Sequence, residues 1–220
     1  TATDDFEPVG EGGNYPNTGF EEGFPKAIIN ETWKSQFAIT QELVEDGRIG
    51  TMKNRANKLI TSYNRTREKF GRYLYAGGLY GTTVKVGAKT FDCAGADKLP
   101  LFSKVHPGKV DKKQQSNLFA GDLTLDNLSK VEEKMQNIKG DNGELLSIAP
   151  DTIWIPNDAG LKQKAFAAAG SDKTPEDNTN AFNYQVGRWN ILVDPYLTWV
   201  LQILGKTDKP WFLLDSAAIQ

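Results

Sequence analysis

Residues 153–169 read IWIPNDAGLKQKAFAAA, a short apolar run followed by a polar turn and an alanine-rich segment. The run IWIP is typical of a buried strand that ends at a turn residue. Asp158 is a favourable N-cap for a helix over residues 159–169, because its carboxylate can accept hydrogen bonds from the first backbone N–H groups. Gly170 then ends the helix. This stretch therefore predicts a strand and a helix joined by a tight turn.

The chain after this helix is predicted to supply the rest of a sheet. Residues 171–180 are polar and turn-forming, which indicates a surface loop. Three closing strands complete the unit, and we interpret the aromatic-rich segments 189–196 and 211–216 as strands. Pro195 has no backbone N–H to give to a sheet, so it limits its strand to an edge or to a strand end.

An amphipathic helix is predicted upstream, over residues 124–139. Its apolar residues recur at spacings of three and four, namely Leu125, Leu128, Val131, Met135 and Ile138. Thr124 or Asp122 caps its start. Its end is expected at Lys139-Gly140, where a cationic side chain precedes a glycine.

A longer helix is predicted over residues 42–76, because apolar residues can be placed along one drifting face. A break is expected near Gly47 or Gly50. The tandem Gly77-Gly78 is the expected stop, since glycine readily takes the left-handed conformation that follows a helix.

Two further regions are predicted to be extended. Before the long helix, Phe37 and Ile39 alternate with polar residues as in a short strand. After it, residues 80–118 are read as strands and turns, with strands at 82–86 and 90–93.

The net charge of −2 hides two opposed blocks of charge. Residues 1–31 hold seven acidic groups against Lys26 alone: Asp4, Asp5, Glu7, Glu11, Glu21, Glu22 and Glu31. Residues 53–72 hold seven basic groups against Glu68 alone: Lys53, Arg55, Lys58, Arg65, Arg67, Lys69 and Arg72. The basic helix face is either a solvated surface or a surface that receives an acidic partner. That partner would be nucleic acid or the acidic stretch of a neighbouring copy, and the attraction would mainly set orientation and encounter rate.

Composition argues against several classes of function. Hydrophobic residues make up 39% of the chain and charged residues 25%, which is typical of a folded protein. One cysteine, Cys93, excludes an internal disulfide, and one histidine, His106, argues against histidine-based metal sites and catalytic triads. We find no phosphate-binding loop, dinucleotide fingerprint, membrane span or secretion signal. We therefore predict no catalytic, cofactor or metal site, and synthesis in the cytosol.

The order of these segments resembles the major capsid proteins of tailed bacteriophages, in particular the Mu-like head subunits. Residues 101–107, LFSKVHP, resemble that family's Leu-Phe-Ser-x-x-His-Pro stretch, and the helix at 124–139 follows as expected. Residues 153–169 are similar to the strand and helix of the axial domain, and the downstream segments to its closing strands. The resemblance covers about residues 37–216 and implies an α+β fold of the Hong Kong 97 type.

The resemblance divides the chain into four parts. Residues 1–36 correspond to an extended loop and 37–140 to a long spine helix with a peripheral domain. Residues 141–205 correspond to an axial domain, and 206–220 to a closing strand that returns toward the peripheral domain. The family usually has an arm before the extended loop, and this chain stops early after the closing strand. We therefore expect its 220 residues to be part of a longer protein.

The resemblance implies a structural, non-enzymatic function: a major head protein that assembles with itself into an icosahedral shell enclosing phage DNA. The implied partners are copies of the chain in hexamers and pentamers, with scaffold, portal or decoration proteins and weak, non-specific contact with packaged DNA. No membrane and no cofactor are implied. The protein would be located in the virion, after assembly in the bacterial host cytoplasm. We expect the subunit interface to involve Glu21, Glu22, Lys26, Arg65, Arg67 and Arg72.

Other functions stay open at this point. An encapsulin-type nanocompartment shell would share the architecture and hold enzyme cargo. A carbohydrate-binding module is an alternative from a different class, if several of the five tryptophans were exposed on one flat face. An enzyme with paired acids is a third, although adjacent carboxylates such as Glu132 and Glu133 point in different directions.

Overall fold

The computed structural model describes residues 2–3, 20–21, 24–109, 112–140, 143–172 and 182–217. The helices in these ranges are α1 Gln41–Glu45, α2 Ile49–Tyr80, α3 Leu125–Gln136, α4 Ala159–Gly170 and α5 Pro195–Ile203. The strands are β1 Ala2–Thr3, β2 Phe20–Glu21, β3 Thr83–Val86, β4 Lys89–Asp92, β5 His106–Pro107, β6 Gln114–Gln115, β7 Thr152–Pro156, β8 Asn190–Asp194 and β9 Phe212–Leu214. The fold is mixed α+β with small sheets, and its assignment to the Hong Kong 97 type stays a prediction.

Three strands form the central sheet, in the order β8-β7-β9. The middle strand β7 runs parallel to β8 and antiparallel to β9. All of its residues are buried, and successive side chains point to opposite faces of the sheet, each of which is covered by a hydrophobic core. Ile153 and Ile155 pack with α3 and α4, whereas Trp154 packs with α2 and α5. The sheet therefore separates two hydrophobic cores, as the alternation of side chains along a strand requires.

Helix α4 begins where the sequence predicts, with Asp158 as its N-cap. The carboxylate accepts a hydrogen bond from the N–H of Leu161 at 2.9 Å and pairs with Lys209 at 2.6 Å. The hydrogen bond from Lys209 and the backbone bond hold the pKa of Asp158 below its ordinary value. The helix includes Gly170, one residue beyond the predicted end.

Helix α3 has the predicted start and an earlier end than predicted. The Thr124 hydroxyl accepts a hydrogen bond from the N–H of Asn127 at 3.2 Å, which confirms Thr124 as the cap. The helix stops at Gln136 because the chain turns there, so that Lys139 forms a bridge with Leu145.

The segment after β8 is a helix, so the prediction of a strand through residue 196 was wrong beyond Asp194. In the described residues two strands, β8 and β9, follow α4 instead of the three that were predicted. Asp194 caps α5 through hydrogen bonds from the N–H groups of Tyr196 at 2.8 Å and Leu197 at 3.2 Å. Pro195 occupies the first helical position, where its missing N–H is not needed. The part of the prediction that placed Pro195 at a strand end is confirmed, and β8 is an edge strand.

The long helix is interrupted as predicted, but it runs further. Gly47 has φ of +63° and separates α1 from α2. Helix α2 then continues through Gly77 and Gly78 to Tyr80, so the expected stop at the tandem glycine was wrong. Both glycines are buried against the β3–β4 hairpin and the residues that follow it, which explains why they are small.

The C-terminal end of α2 forms the second core together with the β3–β4 hairpin, α5 and the central sheet. The buried members of this core include Tyr73, Ala76, Val84, Cys93, Trp154, Leu197, Val200, Leu201 and Phe212. Burial raises the pKa of the Cys93 thiol, in keeping with a packed rather than a reactive cysteine.

Residues 24–40 form no strand, so the short strand predicted around Phe37 and Ile39 was wrong. Their side chains are 40% and 44% exposed, because no sheet of the described chain lies beside them to cover one face. Of the predicted extended loop, residues 2–3, 20–21 and 24–36 are described: β1 pairs with β2, and residues 24–36 form no helix or strand. The rest of the loop lies outside the described residues. Residues 173–180 of the predicted surface loop also lie outside them. The four-part division of the chain stays a prediction, and the closing strand β9 pairs with β7.

His106 of the LFSKVHP stretch is fixed by a carboxylate. Its Nδ1 lies 2.6 Å from Oδ2 of Asp97, whose side chain is 8% exposed. Burial acts to raise the pKa of Asp97, but the hydrogen bonds from His106 and from the N–H of Leu99 outweigh it, so the pKa lies below its ordinary value. The contact joins the two ends of the segment from residue 97 to residue 106.

We expect Asp97→Asn to destabilise the chain at neutral pH and to lose its effect in acid. A depressed folded-state pKa contributes stability above the unfolded value of 3.8, and that contribution disappears as the pH falls through the lower folded value. Free energies of unfolding measured from about pH 2 to 7 should therefore converge for the two chains below about pH 4. A constant difference across this range would contradict the assignment, and Asp126→Asn on exposed α3 is the control.

Candidate functional site

Residues 24–34, which we call the arm base, lie against the β3–β4 hairpin. The Lys26 ammonium lies 3.4 Å from Asp92 and also donates to the carbonyl oxygen of Ala94. Further along, Glu31 pairs with Lys89 at 2.5 Å. The hydrogen bond from the Ala94 N–H and the charge of Lys26 hold the pKa of Asp92 below its ordinary value. Two ion pairs thus fix the arm base to its own hairpin.

An aromatic cluster fixes the end of the arm base. The Trp33 ring stacks on Phe91 with centroids 6.0 Å apart and meets Phe70 edge-on at 5.3 Å. Phe70 and Phe91 are themselves 4.9 Å apart. Because these rings belong to the arm base, α2 and β4, the cluster joins three segments that are distant in sequence.

Between these anchors, the arm base presents two isoleucines to solvent. Ile28 and Ile29 are 85% and 84% exposed. Burying an isoleucine stabilises by about 1.5–3 kcal/mol, so the pair represents about 4 kcal/mol of contact energy that the chain does not use internally. This exceeds the value of an exposed ion pair, which is about 0–1 kcal/mol.

We expect Trp33→Ala to release the arm base without unfolding the protein. The substitution removes both ring contacts of a residue that is 46% exposed, and leaves the cores intact. Limited trypsin digestion should cleave after Lys26 and Lys34 at least about fivefold faster, because local opening sets the rate of cutting. Trp199→Ala, at another exposed ring, is the matched control. Equal cleavage rates in the two variants would contradict the anchoring role.

The part of α2 that precedes its buried last turns carries an exposed basic surface, which we call the basic face: Lys53, Arg55, Lys58, Arg65 and Arg67. Arg55 donates to the carbonyl oxygen of Ala38 at 3.3 Å, and Arg67 lies over the ring of Tyr63. Among the residues that the structure describes, none of the five has a carboxylate partner. Ile60 and Tyr63 add apolar area, being 62% and 57% exposed.

The structure separates the six predicted interface residues into three groups. Arg65 and Arg67 are exposed on the basic face. Lys26 and Arg72 contact their own chain, Lys26 at the hairpin and Arg72 at Asp194 and Glu68. Glu21 lies in β2, of which only the backbone is described, and Glu22 lies outside the described residues.

A groove of about 1040 Å³ lies between α3, α4 and the chain around Trp211. Its wall combines apolar side chains with three lysines, and each lysine has a partner in the chain. Lys134 donates to Ser116, Lys164 pairs with Asp122, and Lys209 pairs with Asp158. Two of the three lysine charges are therefore paired with carboxylates of the same chain, whereas no lysine or arginine of the basic face has such a partner in the described part of the chain.

The five tryptophans lie on separate elements and each has a partner in its own chain. Trp154 is buried, Trp33 joins the aromatic cluster, and Trp199 lies under Lys69 at 3.6 Å. The indole N–H groups of Trp189 and Trp211 donate to Gln185 and Gly121. In the described part of the chain no ring contact joins any two of them, so they do not form a flat aromatic platform.

Within the described ranges, no group of three or more His, Cys, Asp or Glu side chains is arranged to hold a metal ion. In the same ranges, no helix combines the length and the apolar character that crossing a bilayer requires.

The chain thus has an arm base that is fixed to its own hairpin and a basic face that is left exposed, and both offer surface for association. A family model described as phage capsid protein matches residues 27–219, which is most of the chain. The chain belongs to the phage capsid protein family, and its role is that of a capsid structural protein. This confirms the resemblance to phage major capsid proteins found in the sequence.

One curated relative matches part of the chain. The major capsid protein of Escherichia phage Mu is 35% identical over 84 residues, which cover 38% of this chain and 27% of that protein. The match thus spans about a quarter of the relative's length. No solved structure matches the chain.

Proposed function

We propose that this chain is the repeating subunit of a closed icosahedral phage head that encloses DNA. The family match and the similarity to the Mu major capsid protein support the class of assembly. The single observation that carries the proposal is the surface the chain leaves uncovered: Ile28 and Ile29 on an anchored arm, and the basic face of α2. Such surfaces are costly in a monomer and useful in a contact between copies.

The arm base and the basic face lie on different elements, so a contact between them would be head-to-tail. Repeated head-to-tail contacts close into rings, and hexamers and pentamers of the chain are the rings proposed here. The two isoleucines would contribute most of the affinity, because about 4 kcal/mol of burial exceeds what exposed charges supply. The charges would set orientation and encounter rate.

For the ionic part of the contact, we propose that Glu21 or Glu22 of one copy meets Arg65 or Arg67 of its neighbour. Lys26 and Arg72 are left out of this pairing because both are engaged within their own chain. The subunit acts as a structural protein and not as an enzyme, and it is located in the virion after assembly in the host cytoplasm. Scaffold, portal or decoration proteins and weak DNA contacts complete the proposed partners.

The alternatives have less support. An encapsulin-type shell would share the proposed assembly, but the family match is to phage capsid proteins. A carbohydrate-binding module would need a platform of exposed rings, which the separated tryptophans do not provide.

The test is to express the full-length natural protein and to examine it by size-exclusion chromatography and negative-stain microscopy. We expect closed particles of uniform diameter, with DNA found inside particles purified from infected cells. A protein that stays monomeric across concentrations and in the presence of its scaffold would overturn the proposal. Shells that contain an enzyme and no DNA would favour the encapsulin alternative.

A further inference from the structure

Helix α2 is buried at one end only. Its buried residues are confined to its last turns, Tyr73, Ala76, Gly77 and Gly78. From Ile49 to Arg72, no residue of the helix is buried within the described part of the chain. At 1.5 Å per residue, the projecting part is about 35 Å long. The contacts near the point where α2 leaves the core therefore determine the direction of its whole projecting part, and a small rotation there moves the far end by a large distance.

Arg72 lies at this exit point and pairs with a buried carboxylate. Its Nε donates to Oδ2 of Asp194 at 2.6 Å, and Asp194 has a side chain that is 4% exposed. A second guanidinium nitrogen donates to Glu68, one turn back on the same helix. The guanidinium is thus oriented by the helix at one side and by Asp194 at the other.

Asp194 is held in place by hydrogen bonds from α5 and from the central sheet. Its Oδ1 accepts the N–H groups of Tyr196 at 2.8 Å and Leu197 at 3.2 Å, which cap α5. Its Oδ2 also accepts the indole N–H of Trp154 at 3.1 Å, from the central strand β7. The carboxylate is therefore rigidly attached to β7, β8 and α5, and Arg72 connects α2 to that body.

Other contacts at the exit point fix the direction of α2 less strictly. Lys69 lies 3.6 Å over the ring of Trp199, and Tyr73 meets the same ring edge-on at 6.1 Å. Phe70 meets the two other rings of the aromatic cluster edge-on, at 5.3 Å and 4.9 Å. Contacts with a ring face permit sliding and rotation over the ring. A charge-assisted hydrogen bond from a planar guanidinium is both shorter and more directional.

We infer that the Arg72–Asp194 pair is the positioning element that sets the direction of α2 relative to the central sheet. A tilt of about 5° at Arg72 would move Ile49 by about 3 Å over a projecting part of this length. Because packed interfaces are close-fitting, a displacement of that size separates surfaces that must meet. The inference rests on the proposed function in one respect: the direction of the basic face would then determine the curvature of the shell.

The direction of the projecting part of α2 can be measured in the full chain by a distance between two spin labels. One label is attached at Lys53→Cys on α2 and the other at Lys162→Cys on α4, with Cys93→Ala as background. Labelled chain is diluted into excess unlabelled chain, so that only distances within one subunit are recorded. Arg72→Met and Asp194→Asn break the pair, and Lys130→Met removes an exposed ion pair on α3 as the matched control.

We expect the distance distribution to become at least about twofold broader, or its mean to shift by about 3 Å, in both variants at unchanged helix content. The control should superimpose on the wild type. Superimposable distributions in all chains would overturn the inference. If Arg72→Met or Asp194→Asn fails to fold, Glu68→Gln provides a milder variant, because it weakens only the contact between Arg72 and Glu68. We expect this variant to broaden the distance distribution to a smaller degree.

Particle diameters separate this inference from the proposed function. Variants that lose the pair should form particles of more varied diameter than the wild type, as seen by electron microscopy. Uniform wild-type diameters in both variants would overturn the link to curvature. Absence of particles from the wild-type chain would count against the proposed function, and the label distances would still decide the direction of α2.

Discussion

A chain in which Arg65 and Arg67 are both changed to Glu is expected to fold normally and to form at least about tenfold fewer particles than the wild type. Both side chains are exposed, and neither pairs with a carboxylate in the described part of the chain, so the monomer loses no ionic contact there. In the proposed contact, however, each reversal brings a carboxylate toward Glu21 or Glu22 of a neighbour. Like charges that face each other in an interface cost several kcal/mol.

The size of the effect follows from repetition. A loss of about 1.4 kcal/mol weakens one contact tenfold, and every subunit of a closed shell makes the contact with a neighbour. Yield is measured by size-exclusion chromatography, with circular dichroism and thermal unfolding to verify the fold. The effect should diminish at high salt, because the proposed charges are exposed and screened.

Two further chains make this test specific. Lys85→Glu with Lys104→Glu changes the net charge by the same amount at exposed positions off α2, and should assemble like the wild type. Adding Glu21→Lys and Glu22→Lys to the Arg65 and Arg67 reversals restores opposite charges and should recover particles. Recovery would identify the partners. A normal particle yield from the chain in which only Arg65 and Arg67 are changed to Glu would refute the pairing.

The sequence predicted best the features that depend on neighbouring residues. Asp158 and Thr124 are caps because a short polar side chain can reach the N–H groups of the next turn, whatever the rest of the fold does. The break near Gly47 is equally local, since only glycine takes its φ of +63° without strain. The burial of the IWIP strand followed from its uniform apolar character.

Features that depend on distant residues were missed. The alternation at Phe37 and Ile39 indicated a strand, but a strand also needs a partner, and the described chain places none beside them. The other miss was of a local signal: Pro195 was treated as a disturbance of a strand, although Asp194 before it forms a cap that starts a helix. An acid followed by proline, with apolar residues at helical spacing behind them, was the signal that would have favoured α5.

The candidate site was predicted in part. Its basic residues are visible in the sequence, and Arg65 and Arg67 are exposed as the charge pattern suggested. Sequence could not show that Arg72 reaches Asp194, which lies more than a hundred residues away in the chain. Nor could it show that Ile28 and Ile29 are held outward, because their anchors are Asp92, Lys89 and the aromatic cluster.

Gly78→Ala is expected to destabilise the folded chain by about 2 kcal/mol, although alanine favours a helix more than glycine does. A Cβ at this position would lie 2.5 Å from Cβ of Leu101, and one at Gly77 would lie 2.6 Å from Cβ of Val84. These partner atoms are attached directly to the backbone, so no side-chain rotation relieves the clash and the packed chain must move. Overpacking of this kind costs about 3 kcal/mol, against a gain in helix propensity of about 1 kcal/mol.

The same helix supplies the control that separates these two effects. A Cβ added to Gly71 would meet no atom within 4 Å, so Gly71→Ala should gain propensity alone and stabilise by up to about 1 kcal/mol. Chemical unfolding should therefore move in opposite directions for the two variants, and thermal midpoints should differ by about 6–10 °C. Equal stabilisation of both would mean that Leu101 does not pack closely on α2. Opposite signs would show that Gly78 permits close packing within a continuous helix and does not end it.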